Sequence, residues 1–451
     1  MPVRGDTARQ LDRLVAVEQV AARAPSLVAG VVRDGDLVWS ALRGDVPDVA
    51  GQAPDVAATQ YRIGSITKTM TTVLVLQLRE AGRLTLEDRI GQHLTDTPFA
   101  DRTVRELLAH AAGLPAEPTG SWWERSPGVE WTDLRERVGD GSGVLPRGLR
   151  YHYSNLAFGL LGRLVEELRG AAWRDALQQY LLDPLGMAQT SYLPGERAAQ
   201  GYSVHPWSGR LIREPHQDTG AMAPAGQVWS TLGDVGRFAA FLVDPDPAVL
   251  SVSSVEEMTV PRSGTPDAGR TVTYGLGTRL ILTPDGSSLV GHTGSMPGFL
   301  AGLFVDRERR TGAICLANVT TGMRCEGLPL DLLATLESTE PTLPAVWRPT
   351  GDLAPRIEEI LGVWHWGATA LEMCWEDGGL SLRQGSAGRA MRYRPVEQDC
   401  YIGVSGYHTG ETLRVHRRAD GSVHYLECAT FVFTRSPYDP AVPIPGGLPE
   451  G

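Results

Sequence analysis

Between residues 7 and 23 the apolar positions recur with helical spacing, so the chain opens on an amphipathic helix. Two short apolar runs, Ser26-Leu-Val-Ala-Gly-Val-Val and Leu37-Val-Trp-Ser-Ala-Leu, flank Arg33-Asp-Gly-Asp, which is turn chemistry and predicts a β-hairpin. A second helix is expected over residues 65–81: it starts at a serine, runs through Val73-Leu-Val-Leu and stops before Gly82, and its apolar content makes it mostly buried. From about residue 85 to 240 helical patterns dominate, interrupted by Gly113-Leu-Pro, Pro127-Gly and Asp183-Pro-Leu-Gly. The stretch from Thr271 to Leu282, the run Ser287-Ser-Leu-Val-Gly-His, then Gly298-Phe-Leu-Ala-Gly-Leu-Phe-Val and Gly312-Ala-Ile-Cys-Leu-Ala-Asn read as three or four strands in meander order. An early hairpin and a meander near residue 300 share one antiparallel sheet only if the helical region is inserted between them.

Residues 338–356 carry Pro341, Pro344, Pro349 and Pro355 without periodicity and read as a linker closing a first domain of residues 1–337. Short alternating segments separated by Asp-Gly-type turns follow over residues 357–440 and predict a small all-β barrel or sandwich, with a Pro/Gly-rich flexible tail at 441–451. No internal repeat is present.

Composition narrows the function class. A chain of 451 residues with 42% hydrophobic and 21% charged residues is that of a folded, multidomain protein, not of a disordered or fibrous one. The net charge of −11 and the lack of an Arg-rich run argue against nucleic acid as a partner. No signal core and no stretch of about 18 apolar residues is seen, so a cytoplasmic location and no membrane are expected. Five dispersed cysteines without a Cys-x-x-Cys pair predict neither a disulfide framework nor a zinc knuckle, and the histidines show no metal-ligand spacing, so no metal or cofactor is expected.

Among the 42 basic residues there is a single lysine, Lys68, and 41 arginines. A guanidinium cannot give up its proton in a protein, whereas a desolvated lysine amine can. Lys68 lies in Ser65-Ile-Thr-Lys68, which puts a hydroxyl and an amine about one turn apart on one helix face. A serine is a weak nucleophile until a base takes its proton, and helix N-terminal N–H groups favour an oxyanion formed beside it.

Two further elements complete a pattern: Tyr153-Ser-Asn155 in the helical insert and Gly291-His-Thr-Gly294 on a strand of the returning sheet. Over roughly residues 7–337 the sequence resembles the serine β-lactamase and penicillin-binding-protein superfamily, in particular the class C β-lactamase-like branch with its D-peptidases, D-aminopeptidases and esterases. The resemblance implies an α/β fold, an antiparallel sheet flanked by helices with an inserted helical region. It implies Ser65 as the acylated nucleophile, Lys68 as the partner sharing its proton, and Tyr153 as a phenolate or phenol relay. Asn155 would hydrogen-bond Lys68 and the substrate amide. His292, Thr293 and Gly294 would line the strand edge holding the acyl chain, with the backbone N–H groups of Ser65 and Ser295 as the oxyanion hole. His292 stands where β-lactamases and carboxypeptidases usually carry lysine, so a group titrating near neutrality replaces a fixed cation. That departure resembles the aminopeptidases, esterases and peptide-cyclising thioesterases of the superfamily and argues against efficient β-lactam or D-Ala-D-Ala turnover.

The implied function is a metal-independent serine acyl hydrolase acting on an ester, amide or short peptide, D-residue-containing peptides included. The alternatives are a thioesterase that releases and cyclises a carrier-bound peptide, and a penicillin-recognising sensor without turnover. Trp122 and Trp123 read either as an aromatic wall over the pocket or as a surface anchor. Tyr151 and His152 read as pocket packing beside Tyr153, and His110 as a structural helix end. Gly362-Val-Trp364 is similar to a lipocalin Gly-x-Trp start, so a lipocalin-like barrel is expected after the linker, either capping the cleft, contacting a second protomer or carrier, or serving as a stabilising appendage. The oligomeric state is left open.

Overall fold

The computed structural model describes all residues except 46–50, 96, 139–142, 149, 268–269, 344–345, 350, 386–389, 438–442 and 444–451. The proposed tail thus lies almost wholly outside the described residues. The chain divides into two units, Met1–Leu343 and Pro344–Gly451.

In the first unit β1 (Leu27–Arg33) and β2 (Asp36–Arg43) form the expected hairpin, entered from α1 (Gly5–Ala22). Six more strands follow much later: β3 (Ser263–Asp267), β4 (Arg270–Tyr274), β5 (Arg279–Leu282), β6 (Ser288–Met296), β7 (Phe299–Asp306) and β8 (Thr311–Ala317). All eight make one antiparallel sheet in the order β2-β1-β8-β7-β6-β5-β4-β3, so hairpin and meander do join around an insertion. The meander holds more strands than its hydrophobic runs suggest, because the stretch from Thr271 to Leu282 is broken at Gly275-Leu-Gly277. Gly277 has φ +65°, and a Cβ there would sit 1.8 Å from the Thr72 hydroxyl, while one on Gly275 would meet the Met258 carbonyl at 1.9 Å.

The central strands read as unbroken apolar runs because both faces are covered. On β1, Leu27, Ala29 and Val31 pack with Leu11 and Val15 of α1 and with Leu332 and Leu336 of α6 (Gly327–Thr339), whose end runs two residues into the expected linker. Val28 and Val32 belong to the opposite cluster, with Phe238 and Leu242 of α5 (Leu232–Val243). That cluster continues into α2 (Ile66–Glu80) and α4 (Asn155–Arg169).

Residues 85–240 are less helical than their patterns suggest. Between α2 and α4 the Gly/Pro interruptions leave only short helices, among them α3 (Val104–Leu108), and two small two-stranded pairings, Tyr61–Arg62 with Trp229–Ser230 and Tyr202–Val204 with Leu211–Arg213, flank the insert.

The second unit carries a short helix at Pro355–Glu358, across the end of the expected linker, and continues as eight sequential antiparallel strands from Gly362–Trp366 to Phe431–Phe433. Paired backbone hydrogen bonds between His365 and Thr434, 2.7 and 3.0 Å, bring first and last strand together, giving a nearly closed barrel. Its interior is mainly apolar: Trp364, Met373, Leu382, Leu413, Leu426 and Phe433 are buried together, with the Trp364 indole N–H donating to the Ile360 carbonyl at 2.7 Å, and the Tyr393 phenol is buried against the His408 imidazole.

Candidate active site

The segment that delivers Ser65 is held against the sheet by backbone proximity. Gly64 has φ +52°, and a Cβ on it would lie 2.5 Å from the Ser295 nitrogen; one on Gly294 would meet the Ile63 carbonyl at 2.0 Å. Only glycine at these two positions lets the start of α2 and the middle of β6 approach this closely, which puts the Ser65 and Ser295 main chains side by side. Ser65 takes the position before α2, and its hydroxyl does not cap the helix. It accepts instead a 2.9 Å hydrogen bond from Lys68 Nζ.

Lys68 is completely buried, and its ammonium also donates to the Ala225 carbonyl at 2.5 Å. No ion pair reaches it among the described residues. Removal from water lowers its pKa from 10.5 to about 7, with the Glu117 and Glu124 charges acting in the opposite direction. The sole lysine therefore exchanges its proton near neutral pH.

Tyr153 is delivered by the loop pinned ahead of α4. The His152 N–H donates to the His110 carbonyl, the Ser154 N–H to His110 Nδ1 and the Asn155 N–H to the Ala116 carbonyl, while Ser154 caps α4 by accepting from the Ala157 N–H. His110 follows the end of α3 with φ +52° and lies 4.3 Å from the Tyr153 ring, a buried positioning role in keeping with a structural helix end. Lys68 Nζ stands 5.0 Å from the Tyr153 ring centre. Burial raises the Tyr153 pKa well above that of an ordinary phenol, and the Ser65 hydroxyl draws it back only in part. Of the two forms weighed for this relay, the neutral phenol is therefore the resting one, because desolvation acts on both members of the pair and disfavours a buried ammonium beside a buried phenolate.

Two expectations need correction. Asn155 Nδ2 donates to Glu117 Oε1 at 2.6 Å, and Lys68 bonds to Ser65 and Ala225 instead of Asn155. His292 does not titrate near neutrality: burial, helped by the Lys68 charge, lowers its pKa to about 3. Its Nδ1 lies 2.6 Å from the Thr293 carbonyl, which can only accept, so Nδ1 carries the proton and Nε2 accepts from the Tyr274 hydroxyl at 2.9 Å. The imidazole is neutral and both of its nitrogens are engaged.

A cavity of about 340 Å³ opens over Ser65. Tyr153, Asn155, His292, Thr293 and Ser295 line it, as expected for substrate-facing groups, and Gly294 lies on β6 between the last two. Tyr151 lines it as well. Trp122 and Trp123 do not. Trp122 is 60% exposed, with an Arg125 guanidinium 4.1 Å over its ring, and Trp123 packs on the core. Their indole N–H groups hold carboxylates: Trp122 donates to Glu124 at 3.0 Å and Trp123 to Glu117 at 2.7 Å.

Glu124, Tyr274 and Arg279 also face the cavity and are missing from the sequence reading. Arg279 is ion-paired with Glu326 at 2.6 Å. The available signal was the pair of acids, Glu117 and Glu124, bracketing two indole donors, and the position of Tyr274 and Arg279 on strands leading into the Gly291-His-Thr-Gly294 element.

A serine hydrogen-bonded to a buried amine, at the start of a helix packed against an antiparallel sheet, is the arrangement of the β-lactamase-fold serine hydrolases. A family model described as Beta-lactamase matches residues 11–336, and the chain belongs to that family. A second model, a domain of unknown function (DUF7586), matches residues 353–435. Among curated relatives, Beta-lactamase-like protein 2 of Dictyostelium discoideum is 28% identical over 53% of this chain and 46% of its own length. Penicillin-binding protein 4 of Amycolatopsis lactamdurans is 30% identical over 61% of this chain and 75% of its own. The chain thus spans about half the length of the first of these relatives. Among solved structures, the octameric penicillin-binding protein homologue from Pyrococcus abyssi is similar over 95% of this chain and 99% of its own, with TM-score 0.65 and 22% identity. The D-amino acid amidase from Ochrobactrum anthropi SV3, solved with L-phenylalanine amide, covers 74% of this chain and 99% of its own at TM-score 0.64 and 21% identity.

Proposed function

We propose that the protein is a metal-independent serine acyl hydrolase that forms an acyl-enzyme on Ser65 from an ester, amide or short peptide, D-residue-containing peptides included. The observation that carries this reading is the solitary, fully buried Lys68 amine, 2.9 Å from the Ser65 hydroxyl and able to release its proton near pH 7. In the proposed reaction the Ser65 hydroxyl proton passes to neutral Lys68 as Oγ bonds to the substrate carbonyl carbon. The Ser65 and Ser295 N–H groups stabilise the resulting oxyanion, a role supported by the close main-chain approach at Gly64. As the bond to the leaving group breaks, the Tyr153 phenol gives that group its proton and regains one from Lys68. Water then attacks the acyl carbon by the reverse route and restores free Ser65.

Thr293, Gly294 and Ser295 form the strand edge that takes the acyl chain. The neutral His292 supplies no fixed cation there, which weighs against efficient turnover of β-lactams. The printed name of the Ochrobactrum neighbour supports an amide as one member of the substrate class. The mainly apolar packed interior of the barrel supports its reading as a stabilising appendage.

The test is intact-mass detection of a Ser65 adduct from a panel of p-nitrophenyl esters, D- and L-amino acid amides, β-lactams and peptidyl thioesters. An adduct lost in Ser65→Ala is expected from esters and amides. A ring product from the thioester in place of free acid would assign cyclising release instead, and no adduct from any member would overturn the reading.

A further inference from the structure

On the acyl-transfer reading above, we infer that Glu124 is a specificity residue that receives the free ammonium of an aminoacyl substrate, so the chain acts on esters or amides whose amino group is unblocked. Glu124 faces the same small cavity as Ser65, at the low end of the range of about 300–1,000 Å³ for small-molecule sites, so one residue-sized acyl group meets both.

Glu117 stands behind it and takes the Asn155 Nδ2 and Trp123 Nε1 protons, at 2.6 and 2.7 Å. Asn155 spends one of its two Nδ2 protons on Glu117 and keeps the other, together with Oδ1 as an acceptor. His292 has both nitrogens committed. The charged group on this side of the cavity is an acceptor, the Glu124 carboxylate.

Charge points the same way. Neither Glu117 nor Glu124 is in an ion pair among the described residues; each is held by neutral N–H donors, Glu124 by Trp122 at 3.0 Å. The nearby cations are engaged elsewhere. Arg279 is paired with Glu326, Arg125 with Glu214, and buried Arg62 donates to the Gln217 carbonyl and Gln227. Burial raises the Glu124 pKa and the Glu117 charge adds to it, while the Trp122 hydrogen bond and the Lys68 and Arg62 charges, acting through space, oppose the rise. A half-buried carboxylate without a counter-charge is costly, and a ligand ammonium with three N–H donors supplies both the charge and the hydrogen bonds.

The experiment compares the rate of Ser65 acylation by aminoacyl p-nitrophenyl esters of both stereochemistries with that of their N-acetylated counterparts. In the unaltered protein N-acetylation is expected to reduce kcat/KM by about 10- to 100-fold, mostly through KM. In Glu124→Gln the ratio between free and acetylated substrate falls towards one, and in Glu124→Asp a preference for the free amine remains. Equal rates for the two substrates in the unaltered protein, or an undiminished preference in Glu124→Gln, would overturn the inference and leave the acyl-transfer reading standing. Absence of a Ser65 adduct from both substrates would remove both. The comparison within the unaltered protein requires no variant to fold.

Discussion

Eight antiparallel strands form the sheet between residues 27 and 317, and eight more form the barrel between residues 362 and 433, yet the two bury different chemistry. The barrel surrounds Trp364 and its apolar neighbours, which contribute through area removed from water, and also buries the Tyr393 phenol against the His408 imidazole. The first unit buries an amine, an imidazole and phenols beside the strand that carries His292, and opens a cavity over them. Burying Lys68 without an ion pair costs stability that the surrounding apolar core must offset, and the lowered pKa that results is what the proposed base role requires. A buried amine without an ion pair beside a cavity thus sets the candidate active region apart from the barrel, whose buried polar groups, Tyr393 and His408 among them, sit within a mainly apolar interior.

The largest expected effect breaks the reactive side of this contrast. Lys68→Arg keeps the positive charge but removes the base, and the rate of Ser65 adduct formation measured by mass spectrometry should fall by about 10³-fold or more. Labelling at an undiminished rate would show that another group takes the proton.

On the barrel side, Trp364→Ala should cost about 3–5 kcal/mol by loss of packing, seen as a lower denaturant midpoint for the second unit. Ser65 acylation by the same ester should stay within about twofold, because the cluster around Trp364 shares no residue with the one that packs α2, and changes at sites without shared partners act independently. A parallel loss of acylation would end the division of labour between the two regions.

A smaller effect sharpens the cost argument. The Lys68 pKa is lowered from 10.5 to about 7, so between those values the unfolded chain binds more protons than the folded one and this residue makes stability rise with pH. Relative to Lys68→Met, the unaltered protein should be least stable near pH 7 and below, and the gap should close as pH rises towards 10.5. A gap independent of pH would mean that the buried amine keeps its proton. The subtlest expectation concerns the pH profile of acylation, which should climb through about pH 7 as Lys68 loses its proton. His292, lowered to about 3, should add no inflection between about pH 5 and 9.

Several of these features could be read from the sequence because they are local. The three-residue spacing of Ser65 and Lys68, the hairpin turn at Asp34-Gly35, and the Tyr153-Ser-Asn155 and Gly291-His-Thr-Gly294 elements each lie within a few residues. What stayed hidden depends on contacts between distant segments. Asn155 finds its partner Glu117 38 residues away, and His292 meets Tyr274 across 18. Whether an imidazole titrates near neutrality or near pH 3 is set by burial, which periodicity on one strand cannot supply. The tryptophan pair shows the same limit: the rings suggest a wall, but their N–H groups fix two carboxylates, and one of those faces the cavity.

Because Lys68 is the only lysine of the chain, it can be titrated directly. Protein carrying ¹³C in its lysine side chain should give one ε-carbon resonance from the folded chain, and its shift followed by NMR against pH reports this amine alone. A midpoint near 7 is the predicted result; a midpoint near the ordinary 10.5 would contradict the assignment of Lys68 as the base.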